Sequence, residues 1–331
     1  MRRIKIVSTA KYLPRNKVTA AEIDKKIGEK EGWVANKSGV LVRHFASEDE
    51  TSPVMGAIAL KEALNKAGLK LEDLDAIIST SGTQAQEIPC TASLIQEQMG
   101  GQNSGIPCFD INSTCLSFVT GLDTISYMID SGRYKRVALV ASEVASVGLN
   151  YNEKESSALM GDGAAAVIIE RTPEGEQSSI IGARMETYSS GAHFAEIRGG
   201  GTNIHPIRGQ NVKEEDFYFN MNGPAVFKQA SKLMLPFCER LFSEMDLNLK
   251  DVDLVIPHQA SKMALKLVQK RLELSDERFM TYVENHGNTI AASIPMGIHN
   301  AIESKRMKRG DKVLLLGTSA GFSIMGLALQ Y

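Results

Sequence analysis

Two stretches of the chain share one pattern of apolar residues and acidic turn residues. Residues 69–83 read LKLEDLDAIISTSGT, and residues 247–261 read LNLKDVDLVIPHQAS. In both, an Asp-x-Asp turn precedes a short apolar, β-branched run, which is typical of a buried strand. The recurrence of this pattern so far along the chain indicates a duplicated structural unit.

The repetition continues in the same order through the rest of both segments. Residues 112–121, NSTCLSFVTG, correspond to residues 288–297, NTIAASIPMG. Residues 135–142, KRVALVAS, correspond to residues 311–319, DKVLLLGTS. Matches that keep their order along the chain favour a duplication of the whole unit over a chance resemblance of one strand.

Each half also has a helical pattern of apolar residues before its first repeated strand, at residues 54–67 and 226–245. Short β-branched runs alternate with such helical segments, which predicts a layered α/β fold built twice. We place the boundary between the halves after residue 172. Residues 1–172 then form the first half and residues 173–331 the second.

The composition is that of a globular protein: 331 residues, 43% hydrophobic content and a net charge of −2. The near-neutral charge, without long runs of one sign, argues against a nucleic-acid partner. No apolar stretch has the length of a transmembrane helix, and the amino terminus lacks an apolar signal core. The four cysteines have no C-x-x-C spacing, so we expect reduced thiols in the cytoplasm. The six histidines are scattered without metal-ligand spacing, and we predict no metal site.

Equivalent positions of the two repeats differ in chemistry. Cys115 corresponds to Ala291, and His258 corresponds to Thr80. Core packing alone does not require these differences. In two similar α/β halves the strand ends and helix starts can converge on one centre, where Cys115, His258 and Asn288 would meet.

An apolar run ends at Ile111, and the residues that follow Asn112 and Ser113 have helical spacing. This predicts a helix that starts near Thr114, with Cys115 in its first turn. The free N–H groups and the dipole at a helix N-terminus stabilise a thiolate. One interpretation is therefore a thiolate nucleophile, with His258 and Asn288 as hydrogen-bond donors to an oxyanion or enolate. The other is structural: a buried cysteine, a histidine at a strand end and an asparagine in an ordinary turn.

Several motifs are specific enough to compare the chain with a known protein family. They are STCLSF from Ser113, GDGAAAVII from Gly161, FNMNGPAVFKQA from Phe219, PHQAS from Pro257 and HGNTIAASIP from His286. Over essentially the whole chain, these segments resemble the ketoacyl-acyl-carrier-protein synthase III family of the thiolase superfamily. The resemblance implies a thiolase-like five-layered αβαβα fold made of two duplicated halves, working as a homodimer.

The resemblance also implies a reaction in fatty acid or related acyl and polyketide biosynthesis. An acyl group from acyl-coenzyme A would pass to Cys115, and a malonyl group on an acyl carrier protein would lose carbon dioxide and attack it. His258 and Asn288 would assist, and the backbone N–H groups of Cys115 and Ala320 would form the oxyanion hole. No cofactor is expected beyond these two thioester substrates.

A ligand tunnel follows from the same resemblance. Trp33 looks like a tryptophan that stacks on the adenine of coenzyme A, and Lys37 and Lys154 stand where arginines commonly hold the nucleotide. Lysine offers a point charge instead of a planar fork. Ile88 is expected at the gate of the acyl pocket, in a loop through which one subunit closes the pocket of the other.

The segment KMALKLVQKRL, which follows HQAS, predicts a helix with Lys262, Lys266 and Lys270 along one face. Because the helix begins shortly after His258, we expect these lysines near the tunnel mouth, where an acidic carrier protein would dock. The alternative is a solvated helix face. A family arginine implicated in carrier docking is Met263 in this chain.

Two other functions stay open. An OleA-like enzyme would join two acyl-coenzyme A molecules, and a related acyltransferase would use an oxygen or nitrogen nucleophile. The glutamate that the OleA-like branch has at the pocket gate is Ile88 here, with Glu87 one position earlier. A non-catalytic partner subunit of a heterodimer usually loses its nucleophile, whereas Cys115, His258 and Asn288 are all present.

Overall fold

The structure, a computed structural model, describes residues 1–208 and 212–331. Its strands are β1 (Ile4–Tyr12), β2 (Asn16–Thr19), β3 (Val42–Phe45), β4 (Ala76–Ser79), β5 (Cys108–Asp110), β6 (Arg136–Glu143), β7 (Gly163–Arg171), β8 (Ser179–Thr187), β9 (Ala195–Glu196), β10 (Asn220–Met221), β11 (Leu254–Pro257), β12 (Lys312–Ser319) and β13 (Ser323–Gln330). Its α-helices are α1 (Ala20–Lys26), α2 (Trp33–Ser38), α3 (Ser52–Ala67), α4 (Thr91–Gln98), α5 (Ser117–Asp130), α6 (Lys154–Ser157), α7 (Gly223–Met245), α8 (Lys262–Arg271) and α9 (Ser293–Glu303).

The two large sheets repeat one strand order. The first sheet runs β1-β7-β6-β4-β5, and the second runs β8-β13-β12-β11. In each, a short strand from the repeated segment pairs in parallel with the next long strand, which pairs antiparallel with its own neighbour. In place of β5, the second sheet has an isolated parallel bridge between Val255 and Phe279. This common topology confirms the duplication predicted from the sequence.

Helices cover both faces of each sheet. α5 and α9 lie between the sheets, where side chains such as Phe118, Leu122 and Ile294 join the inner faces of both sheets in one core. α3 and α4 pack on the outer face of the first sheet, and α7 and α8 on the outer face of the second. The layers therefore alternate αβαβα, as predicted.

The central strands are apolar over most of their length because both of their faces are covered. On β6, Val137 and Leu139 point into the core between the sheets, whereas Ala138 and Val140 point toward α3. Successive side chains of a strand alternate between faces, so a strand buried on both faces reads as a continuous apolar run. This is why the repeated segments appeared as unbroken runs of Val, Leu, Ile and Ala.

A single 3-10 turn precedes each of the two central helices. These turns span Thr114–Leu116 before α5 and Ile290–Ala292 before α9. Their first residues, Thr114 and Ile290, have φ values of 56° and 48°, a left-handed conformation that β-branched residues rarely adopt. Strain at the same place in both halves fixes the position of the next residue, which is Cys115 in one turn and Ala291 in the other.

Within the two described ranges, no helix has both the length and the apolar character needed to cross a membrane.

Candidate active site

A cavity of about 1140 Å³ is lined by residues from both halves of the chain. Cys115 lines it from the first half, and His258, Asn288 and Ala320 line it from the second. The duplicated turns and strand ends thus converge, as the sequence pattern predicted. The three side chains proposed to act together share one space with Ala320.

Two backbone N–H groups point at the sulfur of Cys115. One is its own, and the other belongs to Ala320 in the turn between β12 and β13. Ala320 contributes only its backbone, so its side chain need only be small. Paired N–H donors at one point are the arrangement that stabilises an oxyanion formed on a thioester carbonyl.

The thiol of Cys115 is neutral at rest, so the expectation of a stabilised thiolate is wrong. Desolvation by the surrounding protein, with a smaller effect of the Glu143 carboxylate, raises the pKa of the Cys115 thiol to about 12. The two N–H groups act in the opposite direction but do not compensate. Moreover, α5 begins only at Ser117, so the sulfur lies in the 3-10 turn before the helix instead of in its first turn.

This neutral thiol predicts a particular pH profile for alkylation. Below its pKa the thiolate fraction rises about tenfold per pH unit, and only the thiolate reacts. The rate of Cys115 alkylation by iodoacetamide, followed by peptide mass spectrometry, should therefore climb without a plateau between about pH 7 and pH 9. A plateau near neutral pH would show that a thiolate is already formed at rest.

His258 is a buried, neutral imidazole held by one hydroxyl group. Its Nδ1 lies 2.7 Å from Ser293 Oγ, and that oxygen accepts a hydrogen bond from the Gln259 N–H at 3.5 Å. Ser293 can then donate its own proton to Nδ1, which leaves the ring proton on Nε2. Burial lowers the pKa of His258 to about 4, against a hydrogen bond to the Ile290 backbone that raises it. His258 is therefore a neutral hydrogen-bond donor near pH 7.

The Asn288 side chain is oriented by its own turn. Its Oδ1 accepts a hydrogen bond from the Ile290 N–H at 2.9 Å, just as Asn112 Oδ1 accepts one from the Thr114 N–H at 2.8 Å in the first half. The Asn288 N–H donates to the Leu159 carbonyl at 2.8 Å, which ties the turn to the first half. Because Oδ1 is used inside the turn, the Nδ2 group of Asn288 is left to serve the cavity.

Glu143, at the end of β6, is a buried carboxylate that the sequence analysis did not single out. It accepts hydrogen bonds from the N–H groups of Gly82 at 2.6 Å and Thr83 at 2.9 Å, and from the Thr83 hydroxyl at 2.6 Å. The Ala291 backbone also donates to it. Burial raises the pKa of Glu143 to about 7, against these hydrogen bonds, which lower it.

The position of Glu143 follows from the duplication. Ala291 is the counterpart of Cys115, so Glu143 binds the N–H group that corresponds to one of the two donors beside the Cys115 sulfur. The repeat places Ser319 opposite Glu143. The same comparison of repeats that identified Cys115 would thus have identified Glu143, had it been carried one residue further along the strand.

The residues predicted to bind coenzyme A lie in three different settings. Lys37 lines the cavity, whereas Trp33 is half-buried at the start of α2 and packs in a small apolar cluster. Lys154 begins α6. Both lysines are ion-paired: Lys37 Nζ lies 3.0 Å from Glu155 Oε1, and Lys154 Nζ lies 2.6 Å from Glu29 Oε1.

The predicted gate lies in an exposed loop before α4. Ile88 itself is 83% exposed, while its neighbours Gln86 and Glu87 line the cavity. In the single chain, Ile88 therefore does not belong to the cavity lining.

The helix predicted after HQAS is α8. Lys266 and Lys270 are exposed on it, and Lys262 is half-buried and forms an ion pair with Glu284. The cavity is lined by another face of the helix, which includes Met263.

Asp162, in the GDGAAAV motif, is buried and serves the scaffold. It accepts hydrogen bonds from the N–H groups of Ala46 and Ser146, both at 2.8 Å. In the part of the chain that the structure describes, no group of three or more His, Cys, Asp or Glu side chains is arranged to hold a metal ion.

Two segments of the chain match one protein family. Residues 109–189 match 3-oxoacyl-[acyl-carrier-protein] synthase III, and residues 242–331 match the C-terminal part of the same family. Together these segments span more than half of the 331 residues and include most of the residues that line the cavity near Cys115.

Whole-length relatives agree with these matches. The chain is 31% identical over 331 residues to the beta-ketoacyl-[acyl-carrier-protein] synthase III of Neisseria gonorrhoeae, covering 100% of both proteins, and 32% identical over 327 residues to that of Aquifex aeolicus, covering 99% of both. Among solved structures, 3-oxoacyl-[acyl-carrier-protein] synthase III from Aquifex aeolicus has a TM-score of 0.88 at 31% identity, covering 99% of this chain and 100% of that one. The Pseudomonas aeruginosa protein has a TM-score of 0.90 at 25% identity, covering 100% of this chain and 98% of that one. A Xanthomonas campestris OleA variant, with a TM-score of 0.87 at 19% identity, shares the fold. The chain therefore belongs to the 3-oxoacyl-[acyl-carrier-protein] synthase III family of acyltransferases.

Proposed function

We propose that the chain catalyses the decarboxylative Claisen condensation of an acyl group, carried on Cys115, with a malonyl group on an acyl carrier protein. The observation that carries the proposal is the single cavity lined by Cys115, His258 and Asn288, with two N–H donors aimed at the Cys115 sulfur. Successive attacks on two thioester carbonyls require such a nucleophile and such donors.

In the first step, the Cys115 sulfur attacks the carbonyl carbon of acyl-coenzyme A. Because a pKa of about 12 leaves little thiolate at neutral pH, the thiol gives its proton to solvent as the bond between Cys115 Sγ and the acyl carbon forms. When the bond between the acyl carbon and the coenzyme A sulfur breaks, that sulfur takes up a proton from solvent, and coenzyme A leaves as a free thiol. Negative charge develops on the carbonyl oxygen only in the transition state. The N–H groups of Cys115 and Ala320 are fixed in place before that charge forms, so they lower the barrier.

In the second step, the malonyl thioester loses carbon dioxide and becomes an enolate. Its oxygen accepts hydrogen bonds from His258 Nε2 and Asn288 Nδ2. A neutral imidazole with a pKa of about 4 suits this role, because it stabilises the enolate without protonating it. The enolate carbon then attacks the acyl-cysteine carbonyl, and Cys115 is released as a thiolate that regains a proton from solvent.

The test is to follow both products of the reaction. We expect one carbon dioxide and one 3-ketoacyl carrier thioester for each acyl-coenzyme A consumed, measured by mass spectrometry of the carrier and by trapping of labelled carbon dioxide. The preferred acyl chain is found by grading its length in the same assay. Absence of a ketoacyl carrier with every chain length would contradict the proposal.

A second candidate is the OleA-like condensation of two acyl-coenzyme A molecules, or acyl transfer to an oxygen or nitrogen nucleophile. One observation favours it: Glu87 lines the cavity, while Ile88 is exposed. A carboxylate thus lies next to the position of the gate glutamate in the OleA-like branch. A ketoacyl product formed from acyl-coenzyme A alone, without malonyl carrier, would favour this function.

We further propose that the chain acts as a homodimer in the cytoplasm. β5 is an edge strand of the first sheet and is only partly buried, and the loop before α4 exposes Ile88. An open strand edge beside an exposed apolar side chain is suited to pair with a second copy. In that dimer, Ile88 would close the acyl pocket of the partner subunit.

The acyl carrier protein would dock at α8, with Lys262, Lys266 and Lys270 as the predicted contacts. The exposed lysines Lys266 and Lys270 support this, because charges at an interface rim attract an acidic partner. Met263 is 58% exposed and also lines the cavity, so this surface adjoins the entrance. Binding of coenzyme A by Trp33, Lys37 and Lys154 stays a prediction, and no cofactor is proposed beyond the thioester substrates.

A further inference from the structure

The charge of Lys37, which lines the cavity, is compensated by the protein itself. Its Nζ lies 3.0 Å from Glu155 Oε1, and Glu155 also lines the cavity. The side chains of Lys37 and Glu155 are 48% and 39% exposed, so both remain accessible to an entering ligand. A phosphate approaching Lys37 would have to compete with the Glu155 carboxylate.

The Glu155 carboxylate also lies close to the start of α7. A Cβ atom built on Gly223, the first residue of α7, would lie 2.9 Å from Glu155 Oε2, so the carboxylate lies directly against the start of this long helix. The N-terminus of a helix carries a partial positive charge. The Glu155 carboxylate therefore pairs with the Lys37 ammonium and lies near the positive end of α7.

The charged residues that line the cavity are mostly acidic. Among the described residues, the cavity lining includes the carboxylates of Glu87, Glu155 and Glu196, but only Lys37 and Arg271 as cations. Coenzyme A carries a diphosphate and a 3′-phosphate, whereas the pantetheine arm that precedes them is uncharged. The lining is thus suited to the arm and poorly suited to the phosphates.

We propose that Glu155 is a specificity-determining residue. It weakens binding of the coenzyme A phosphates, so that acyl donors are recognised mainly by their pantetheine arm. This proposal rests on the proposed acylation of Cys115. The donors would be acyl-pantetheine thioesters, attached either to coenzyme A or to a carrier protein, and the nucleotide of coenzyme A would contribute little to binding. Because Glu155 compensates the charge of Lys37, Lys37 should bind a phosphate more strongly when Glu155 is removed.

The test compares acyl-coenzyme A with the matching acyl-pantetheine, which lacks every phosphate, as donors to Cys115. In the unmodified protein we expect the two kcat/KM values for acylation to be similar. In Glu155→Gln the ratio of acyl-coenzyme A to acyl-pantetheine should rise about fivefold, the scale of one exposed ion pair, and should fall again at high salt.

Two further variants test whether the change in this ratio depends on the pair of Lys37 and Glu155. Lys37→Ala added to Glu155→Gln should remove the gain, because the lysine that was freed is then missing. Glu176→Gln serves as the matched control: Glu176 is 42% exposed and pairs with Lys5 at 2.6 Å, and neither residue lines the cavity. This control should leave the ratio unchanged.

The outcomes separate the two proposals. If no thioester acylates Cys115, the proposed function fails. If both donors acylate it but the unmodified protein prefers acyl-coenzyme A more than about tenfold, and Glu155→Gln leaves that ratio unchanged, the role of Glu155 is refuted while the proposed function stands. Binding of free coenzyme A to Cys115→Ala, with and without Glu155→Gln, checks the same effect without chemistry: Glu155→Gln should tighten it about fivefold.

Discussion

Replacing Cys115 by alanine abolishes covalent acylation of the protein by acyl-coenzyme A. The reason is that, among the described cysteines, only Cys115 lines the cavity, and two backbone N–H donors point at its sulfur. The expected result is complete loss of the mass increase seen by intact-protein mass spectrometry after incubation with the thioester.

The other cysteines provide matched controls. Cys238 is buried on α7, Cys108 is the first residue of β5, and Cys90 directly precedes α4. None of the three lines the cavity. Cys90→Ala, Cys108→Ala and Cys238→Ala should each still become acylated. Persistent acylation of Cys115→Ala would show that the nucleophile is elsewhere.

His258→Ala and Asn288→Ala should separate the two steps of the reaction. In the proposed mechanism, acylation uses the N–H groups of Cys115 and Ala320, which both substitutions leave in place, so Cys115 should still acquire the acyl group. Condensation should fall about a hundredfold or more, the scale of removing one oxyanion donor. Single-turnover acylation and steady-state ketoacyl formation, measured on the same samples, give the two rates.

Ser293→Ala is the control for the histidine. It removes the hydroxyl group that orients His258 Nδ1 at 2.7 Å while keeping the imidazole, so condensation should fall less than in His258→Ala. If His258→Ala and Asn288→Ala instead lose acylation but still decarboxylate malonyl carrier, the roles of the two donor sets are reversed.

The fold could be predicted because the same sequence pattern occurs in both halves of the chain. Each half repeats the apolar run of a strand that is covered on both faces, and the shared strand order of the two sheets follows from that repetition. The boundary after residue 172 stays a prediction. The meeting of Cys115, His258 and Asn288 at one cavity was also predictable, since equivalent turns of the two halves face the same centre.

The electrostatics of the site could not be predicted in the same way. The position of Cys115 near a helix start suggested a thiolate, but desolvation depends on every atom packed around the sulfur, and it raises the pKa of the thiol to about 12. The pairing of Lys37 with Glu155 joins residues far apart in the sequence. Neither effect leaves a periodic pattern along the chain.

The Glu143 carboxylate also ties the two halves of the chain together. It joins Gly82 and Thr83, which precede the gate loop, to Ala291 in the turn that follows Asn288. One buried side chain thus anchors both the turn after Asn288 and the base of the loop before α4. In the second half, where alanine stands in the position of the nucleophile, the backbone N–H group of that turn serves as an attachment point for the other half of the chain.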